Sequence, residues 1–279
     1  MAAPVLVTGG TGTLGRLLVA RLLVARLPVA RLRGSGAEIR VLSRSSHEAA
    51  DGIEYVAGDL ATGAGIEPAV HGVEIIVHCA GGPKGDDDKA RNLVSAAVRA
   101  RVAHLVYISV VGADRVPIVS GLDRAMFGYF GAKLAAERIV AGSGLPYTTL
   151  RATQFHDLTL TVAQQLAKLP VMPALAGVRF QPIDTGEVAD RLTELALGAP
   201  AGLVPELGGP RAYSMADLLR GYLRATGRRR LIVPVRQPGR AARAFRAGAN
   251  LTLDHAVGHR TWEDFLAERF APVGAGVVR

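Results

Sequence analysis

Tyr129 and Lys133 stand four residues apart in Tyr129-Phe130-Gly131-Ala132-Lys133, and a helix would carry both on one face. The chemistry such a pair offers is proton transfer. A neighbouring ammonium stabilises phenolate and lowers the pKa of a tyrosine that ordinarily titrates at about 10, so the phenol can hand a proton to a carbonyl oxygen as hydride arrives. Ser109, at the end of His104-Leu105-Val106-Tyr107-Ile108-Ser109, is placed to hydrogen-bond the same oxygen. Tyrosine and lysine at helical spacing are common, so the pair gains its weight from what precedes it in the chain.

What precedes it is a phosphate-binding pattern. Val5-Leu6-Val7-Thr8 leads directly into Gly9-Gly10-Thr11-Gly12-Thr13-Leu14-Gly15. Gly9 allows a tight turn, Gly12 lets the backbone approach a pyrophosphate, and Gly15 lets the following helix pack on the strand. A diphosphate on this turn sits at a helix N-terminus, where free N–H groups and the dipole favour an anion. An ordinary flexible turn is the plain alternative, but the strand before and the helix after supply the required context. The second strand ends Val41-Leu42-Ser43-Arg44-Ser45, with no carboxylate for an adenosine ribose. Arg44, with Ser43 and Ser45, suits a 2′-phosphate instead, which favours NADP(H) over NAD(H). Asp59 and Leu60, after the third strand, are expected at the adenine. The small residues Cys79, Ala80 and Gly81 after the fourth leave a cofactor room to pass, with Cys79 a packed residue and not a reactive thiol.

These groups meet only if the elements alternate, and they do. Short β-branched runs at Val5 to Thr8, Glu38 to Leu42, Ile53 to Ala57, Glu74 to His78, His104 to Ser109 and Tyr147 to Arg151 are separated by helical stretches, including Asp87 to Ala100 and Ala125 to Ala141. The pattern predicts an α/β, doubly wound parallel-sheet Rossmann fold. Residues 1–155 form the dinucleotide-binding core, and residues 156–279 a smaller substrate-side part of the same domain. Helices are expected there at Leu158 to Leu169, Glu187 to Leu197, Met215 to Thr226 and Trp262 to Phe270. Gln154, Phe155 and His156, following the sixth strand, should lie near the nicotinamide end; His156 is either a substrate contact or a partly buried histidine with its own partners. A five-residue repeat from Val19 to Leu32 places Val-Ala-Arg-Leu three times, interrupted by Pro28. Pro28 should end or kink the first helix near Leu27, away from the glycine turn, so the insertion is expected to be functionally neutral.

On these residues the chain resembles the atypical short-chain dehydrogenase/reductases of the NmrA-like, NAD(P)H-binding type. The stretches that carry the resemblance are Val7 to Gly15, His104 to Ser109, Tyr129 to Lys133, Ser143 to Tyr147, Leu150 to Phe155, and Thr261 to Phe265. The resemblance implies a seven-stranded sheet, a nicotinamide cofactor, and Ser109, Tyr129 and Lys133 as catalytic residues, with Lys133 also holding the cofactor ribose. Asp86 stands where related enzymes often carry the asparagine of a proton relay, and the segment Val116 to Met126 is longer than usual, over the substrate. Reduction of a carbonyl or related group in a small molecule is the leading expectation. A catalytically silent cofactor sensor, or an epimerase or dehydratase that returns its nicotinamide unchanged, are the alternatives.

Composition bounds the rest. Hydrophobic residues make up 49% and charged ones 20% of the 279, as in a globular protein. One cysteine excludes an internal disulfide. The N-terminus lacks the basic region of a signal peptide, and arginines interrupt every long apolar run, so a cytoplasmic protein without a membrane span is expected. The net charge of +9 comes mostly from scattered arginines, and the cluster Arg228-Arg229-Arg230 reads as a solvated helix end rather than a nucleic-acid site. No metal is expected: Gly258 weakens the helix that His255 and His259 would need, and Asp86-Asp87-Asp88 reads as acidic residues capping a helix N-terminus. A homodimer is possible.

Overall fold

The computed structural model describes residues 4–33, 38–48, 52–82 and 84–271. The first half of the chain is β1 (Val5–Thr8), α1 (Thr13–Arg33), β2 (Ile39–Ser43), β3 (Ile53–Ala57), α2 (Ile66–Val70), β4 (Ile75–His78), α3 (Asp86–Arg99), β5 (His104–Val110), α4 (Gly121–Ala141) and β6 (Tyr147–Ala152). Then follow α5 (His156–Leu166), β7 (Val171–Leu175), β8 (Arg179–Phe180), α6 (Thr185–Leu197), β9 (Gly202–Leu203), β10 (Tyr213–Ser214), α7 (Met215–Ala225), β11 (Leu231–Val235), α8 (Arg240–Arg246) and α9 (Trp262–Arg269).

Seven parallel strands form the central sheet in the order β3-β2-β1-β4-β5-β6-β9. Side chains alternate across it, so each strand feeds two cores. Val5, Val7, Val77, Val106 and Ile108 face α1 and α6, whereas Leu6, Ile76, Leu105 and Tyr107 face α2, α3 and α4. Burial on both faces explains why these strands read as continuous apolar runs. The order reverses between β1 and β4, which opens a crevice at the carboxyl ends of the strands. The chain beyond Phe155 contributes to the central body itself: β9 extends the central sheet, and α6 packs beside α1 in the same core. A separate cluster around Trp262 joins α5, α7 and α9, with Trp262 Nε1 donating to Leu218 O at 3.1 Å.

Two helix limits differ from expectation by four residues or more. α1 does not end near Leu27 but runs through Pro28 to Arg33; one proline removes one backbone donor, and the leucines, alanines and arginines around it favour helix strongly enough to continue. α4 begins four residues before Ala125, because Ser120 caps it: its Oγ accepts from Asp123 N at 3.0 Å, and Asp123 Oδ2 accepts from Ser120 N at 3.2 Å. Half of the segment Val116 to Met126 is therefore helix. Among the described residues no helix is long and apolar enough to cross a membrane.

Candidate functional site

Between β1 and α1 the glycine turn is held by Gly12 N donating to Gly9 O at 3.0 Å. Gly9 has φ +72°, and a Cβ on it would come within 2.7 Å of Ala80 N. A Cβ on Gly15 would fall 2.0 Å from Gly9 O, so the helix can leave the turn only as glycine. At Gly12 the same oxygen is 3.3 Å away, the mildest restriction of the three. The turn is thus closed at Gly9 by the backbone that follows β4 and at Gly15 by its own backbone, and is open toward the crevice at Gly12, as a cradle for an anion requires.

Two connected chambers meet over this turn, sharing Gly9, Gly12, Cys79 and Gly81. The outer one, of about 510 Å³, is lined by Thr11, Ser43, Arg44, Asp59, Leu60 and Ala80 among the expected residues. Ser45 is exposed outside its wall. Ser43 Oγ pairs with His47 Nε2 at 2.8 Å, while Arg44 has no partner among the described residues, leaving its guanidinium available to a ligand. Asp59 Oδ1 is occupied by Ala61 N at 2.9 Å. Sequence reasoning missed Lys84 and Lys89, which also line this chamber and come from the irregular stretch before α3 and from α3 itself, where no motif marks them. Cys79 lines both chambers, and burial pushes its thiol up to about 12, as befits a packed and unreactive residue.

The inner chamber, of about 420 Å³, gathers Ser109, Tyr129, Lys133, Gln154 and Phe155 with Thr13, Leu14 and Gly15. Phe180 and Phe245 close it from far along the chain, which no local pattern could have announced. Two polar atoms buried in this wall, Ser109 Oγ and Gln154 Nε2, have no hydrogen-bond partner among the described residues. A buried donor or acceptor left unpaired costs about 1–3 kcal/mol, and these two are the ones that line this chamber, where a ligand could pair them. The glycine cradle, the free Arg44 and these two orphaned groups fit a dinucleotide laid from the outer chamber to the inner one.

Lys133 departs from one of its expected roles, that of lowering the Tyr129 phenol. Its ammonium, only 4% exposed, lies 3.1 Å from Asp86 Oδ2 and donates to Ile108 O at 3.2 Å. It stands 5.0 Å from the centre of the Tyr107 ring and 5.7 Å from that of Tyr129. A Cβ on Gly81 would touch both the ammonium and Asp86 Oδ2 at 3.3 Å, so a glycine there lets the pair close. With its charge met by Asp86, Lys133 does not lower the Tyr129 phenol. Enclosure by protein, and then the Asp86 carboxylate, raise it above the ordinary tyrosine range. Asp86 is accordingly not a helix cap, that position being Gly85; its Oδ1 accepts from Gly82 N at 2.9 Å and from Lys89 at 3.1 Å.

His156 also departs from expectation. It turns away from the chamber that its neighbour Phe155 lines, and packs with ring centroids 5.0 Å from Phe265 and 5.9 Å from Trp262. Neither ring nitrogen has a hydrogen-bond partner among the described residues, and burial drives its pKa down to about 4. The reason is periodicity: His156 opens α5, whose buried side, with Leu160 and Ala163, faces the Trp262 cluster. Elsewhere, His255 ends a single turn of 3-10 helix and His259 is exposed beside Glu187. Among the described residues no three His, Cys, Asp or Glu side chains gather as a metal would require.

Comparison with known proteins bears on this cleft. The sequence pattern of a family described as NAD(P)H-binding matches residues 9–177, more than half of the chain. A (4-alkanoyl-5-oxo-2,5-dihydrofuran-3-yl)methyl phosphate reductase of Streptomyces griseus is 26% identical over 231 residues, covering 80% of this chain and 74% of its own. Quinone oxidoreductase 2 of Escherichia coli is 25% identical over 229 residues, covering 80% and 75%. Among solved structures, the Escherichia coli NADPH-dependent quinone oxidoreductase complexed with NADPH superposes with a TM-score of 0.76 at 20% identity, over 95% of this chain and 99% of that one. A Citrobacter triphenylmethane reductase complexed with NADP(H) gives a TM-score of 0.72 at 20% identity, over 96% and 99%. These two establish the common fold.

Proposed function

This chain belongs to the NAD(P)H-binding family, and from that premise we propose that it is an NADP(H)-dependent reductase of the NmrA-like short-chain type, acting on the carbonyl of a small organic molecule. The observation that carries the reading is the pair of orphaned polar atoms, Ser109 Oγ and Gln154 Nε2, in the chamber beside Tyr129, at the end of a cleft that starts at an unpartnered Arg44. Arg44 would hold the 2′-phosphate, the backbone at Thr11 to Gly15 the diphosphate, and Lys133 the ribose. Bound there, the nicotinamide supplies hydride. Ser109 orients the acceptor oxygen, and Tyr129 donates the proton that this oxygen needs as charge builds on it.

The Tyr129 phenol is raised above its ordinary value, so the residue enters the reaction as the protonated donor that reduction uses. The reductase and oxidoreductase activities in the names of the two relatives point the same way. The test is a titration with NADPH and with NADH, followed by nicotinamide fluorescence. NADPH should bind more tightly, and Arg44→Ala should weaken it roughly tenfold while leaving NADH unchanged. Equal loss for both cofactors would remove the 2′-phosphate assignment, and no binding of either would overturn the reading. With a carbonyl acceptor that consumes NADPH, Tyr129→Phe should lower kcat about 100-fold or more.

A further inference from the structure

α4 is apolar on two sides. Phe127 and Phe130 pack inward on Phe245 of α8, as a core face should. Leu122, Met126 and Tyr129, spaced by one turn and nearly another, are left between 36% and 46% exposed on the other side. Across from them Leu158 of α5 is 56% exposed. Ala125, Met126, Tyr129, Ala132 and Leu158 line one groove of about 1100 Å³. Tyr129 and Leu158 also line the inner chamber, so the groove opens directly onto the proton donor. Its charged lining residues are Lys84 and Arg124, and no carboxylate joins them. Neither cation has an ion-pair partner among the described residues, in a chain whose other helical arginines often have one, as Arg91, Arg191 and Arg220 do.

An apolar trough with unpaired cations and no opposing carboxylate is complementary to an amphipathic anion. We propose that the substrate is elongated, with an apolar chain or ring system lying along Met126 and Leu158 and an acidic group, carboxylate or phosphate, held by Arg124 with Lys84, so that its carbonyl reaches Tyr129. The proposal deepens the reductase reading and rests on it. Lys84 also borders the outer chamber, so it serves cofactor and substrate ends alike; Arg124 borders the groove without bordering either chamber, which makes it the discriminating position.

The test is a calorimetric titration of the protein, with and without saturating NADPH, using octanoate, decanoate, decyl phosphate and decanol below their aggregation limits. Decanoate or decyl phosphate should bind roughly tenfold tighter than decanol, and decanoate tighter than octanoate by roughly two- to fourfold for each methylene that reaches the groove. The stronger of the two anions identifies the head group. Arg124→Glu should abolish the preference for the anion, leaving decanol and NADPH binding as in the wild type, and Met126→Glu should weaken all four amphiphiles. Decanol matching both anions, or an anion preference that survives Arg124→Glu, would overturn the proposal. Sedimentation velocity on the same samples covers the rival occupant: a dimer that Met126→Glu dissolves, without amphiphile binding, assigns the groove to a second copy and also overturns it. Failure of the cofactor reading registers separately, as absent NADPH binding with the amphiphile titrations intact.

Discussion

At Asp86, 1% exposed and 3.1 Å from the Lys133 ammonium, a single carboxylate decides what the tyrosine and lysine four residues apart can do. A free ammonium would stabilise phenolate; a neutralised one leaves desolvation of the partly enclosed phenol and the Asp86 charge to work against it. Tyr107 feels the same arrangement, its phenol raised by burial up to about 12 despite the opposing effect of Lys133. Replacing Asp86 by Asn keeps the shape, removes the negative charge and frees the ammonium. The phenolate absorbance of Tyr129, obtained by subtracting the titration of a Tyr129→Phe protein, should then move to lower pH by about one unit or more. An unshifted titration would mean that Asp86 does not govern the phenol. The sequence alone pointed to Lys133 as the activator because Tyr129 and Lys133 are neighbours on one helix, while the residue that outweighs it lies 47 positions earlier, at the start of α3.

The glycine turn separates two kinds of requirement within one element. Gly15→Ala must push a methyl group against Gly9 O, 2.0 Å away, and should lower stability by about 1–3 kcal/mol, read as a drop in the urea midpoint. Gly12→Ala meets that oxygen at 3.3 Å and should leave the midpoint nearly unchanged while weakening NADPH, because Gly12 lines both chambers over which the proposed diphosphate would lie. Equal losses of stability in both variants would refute the division of labour. A second joint lies at β6, where Arg151 is 7% exposed and bonds Glu137 of α4 at 2.9 and 2.7 Å and Asp114 at 2.7 Å. Arg151→Ala strands the Glu137 carboxylate and should cost about 3–5 kcal/mol in urea unfolding, and adding Glu137→Ala should restore part of it. Elements of this kind were legible where a local rule specifies them: β1, the turn and α1 follow from glycine spacing, and the β3 limits from a run of β-branched and aromatic residues between turn signals. The start of α4 was also written in the chain, as Ser120 and Asp123 in capping-box spacing, and was overlooked. Phe180 and Phe245 in the inner chamber, and Lys84 in the outer one, carry no local signal, since only tertiary packing brings them there.

Over the whole molecule, the sheet gives its two faces to two helical layers and leaves the lining of the cleft at one edge, and the titrations that matter for stability fall elsewhere, in the packed interior. His78 pairs through Nδ1 with Thr8 at 2.7 Å inside the sheet, and burial drives its pKa down to about 3. His156, buried against Trp262 and Phe265, is lowered to about 4, by burial first, and His104 is lowered by the same cause. Each is neutral in the native state, while in the unfolded chain it takes up a proton near its ordinary 6.5. Below that pH the unfolded state binds more protons, so stability is fully present above it and is lost as pH falls toward the native values. Asp114 works in a lower window: burial disfavours its charge, but the Arg151 hydrogen bond and charge prevail and hold it below 3.8, so its contribution fades only once pH falls through the ordinary carboxylate range. The protein should therefore become acid-labile between pH 6.5 and 4, before its carboxylates protonate, with urea midpoints falling steadily across that interval. His156→Phe isolates one contributor, because neither ring nitrogen has a partner to lose and the phenyl ring preserves the contacts with Phe265 and Trp262. Its stability should depend on pH less steeply by up to about 1.4 kcal/mol per pH unit in that window; a slope identical to the wild type would show that His156 is already protonated in the native protein.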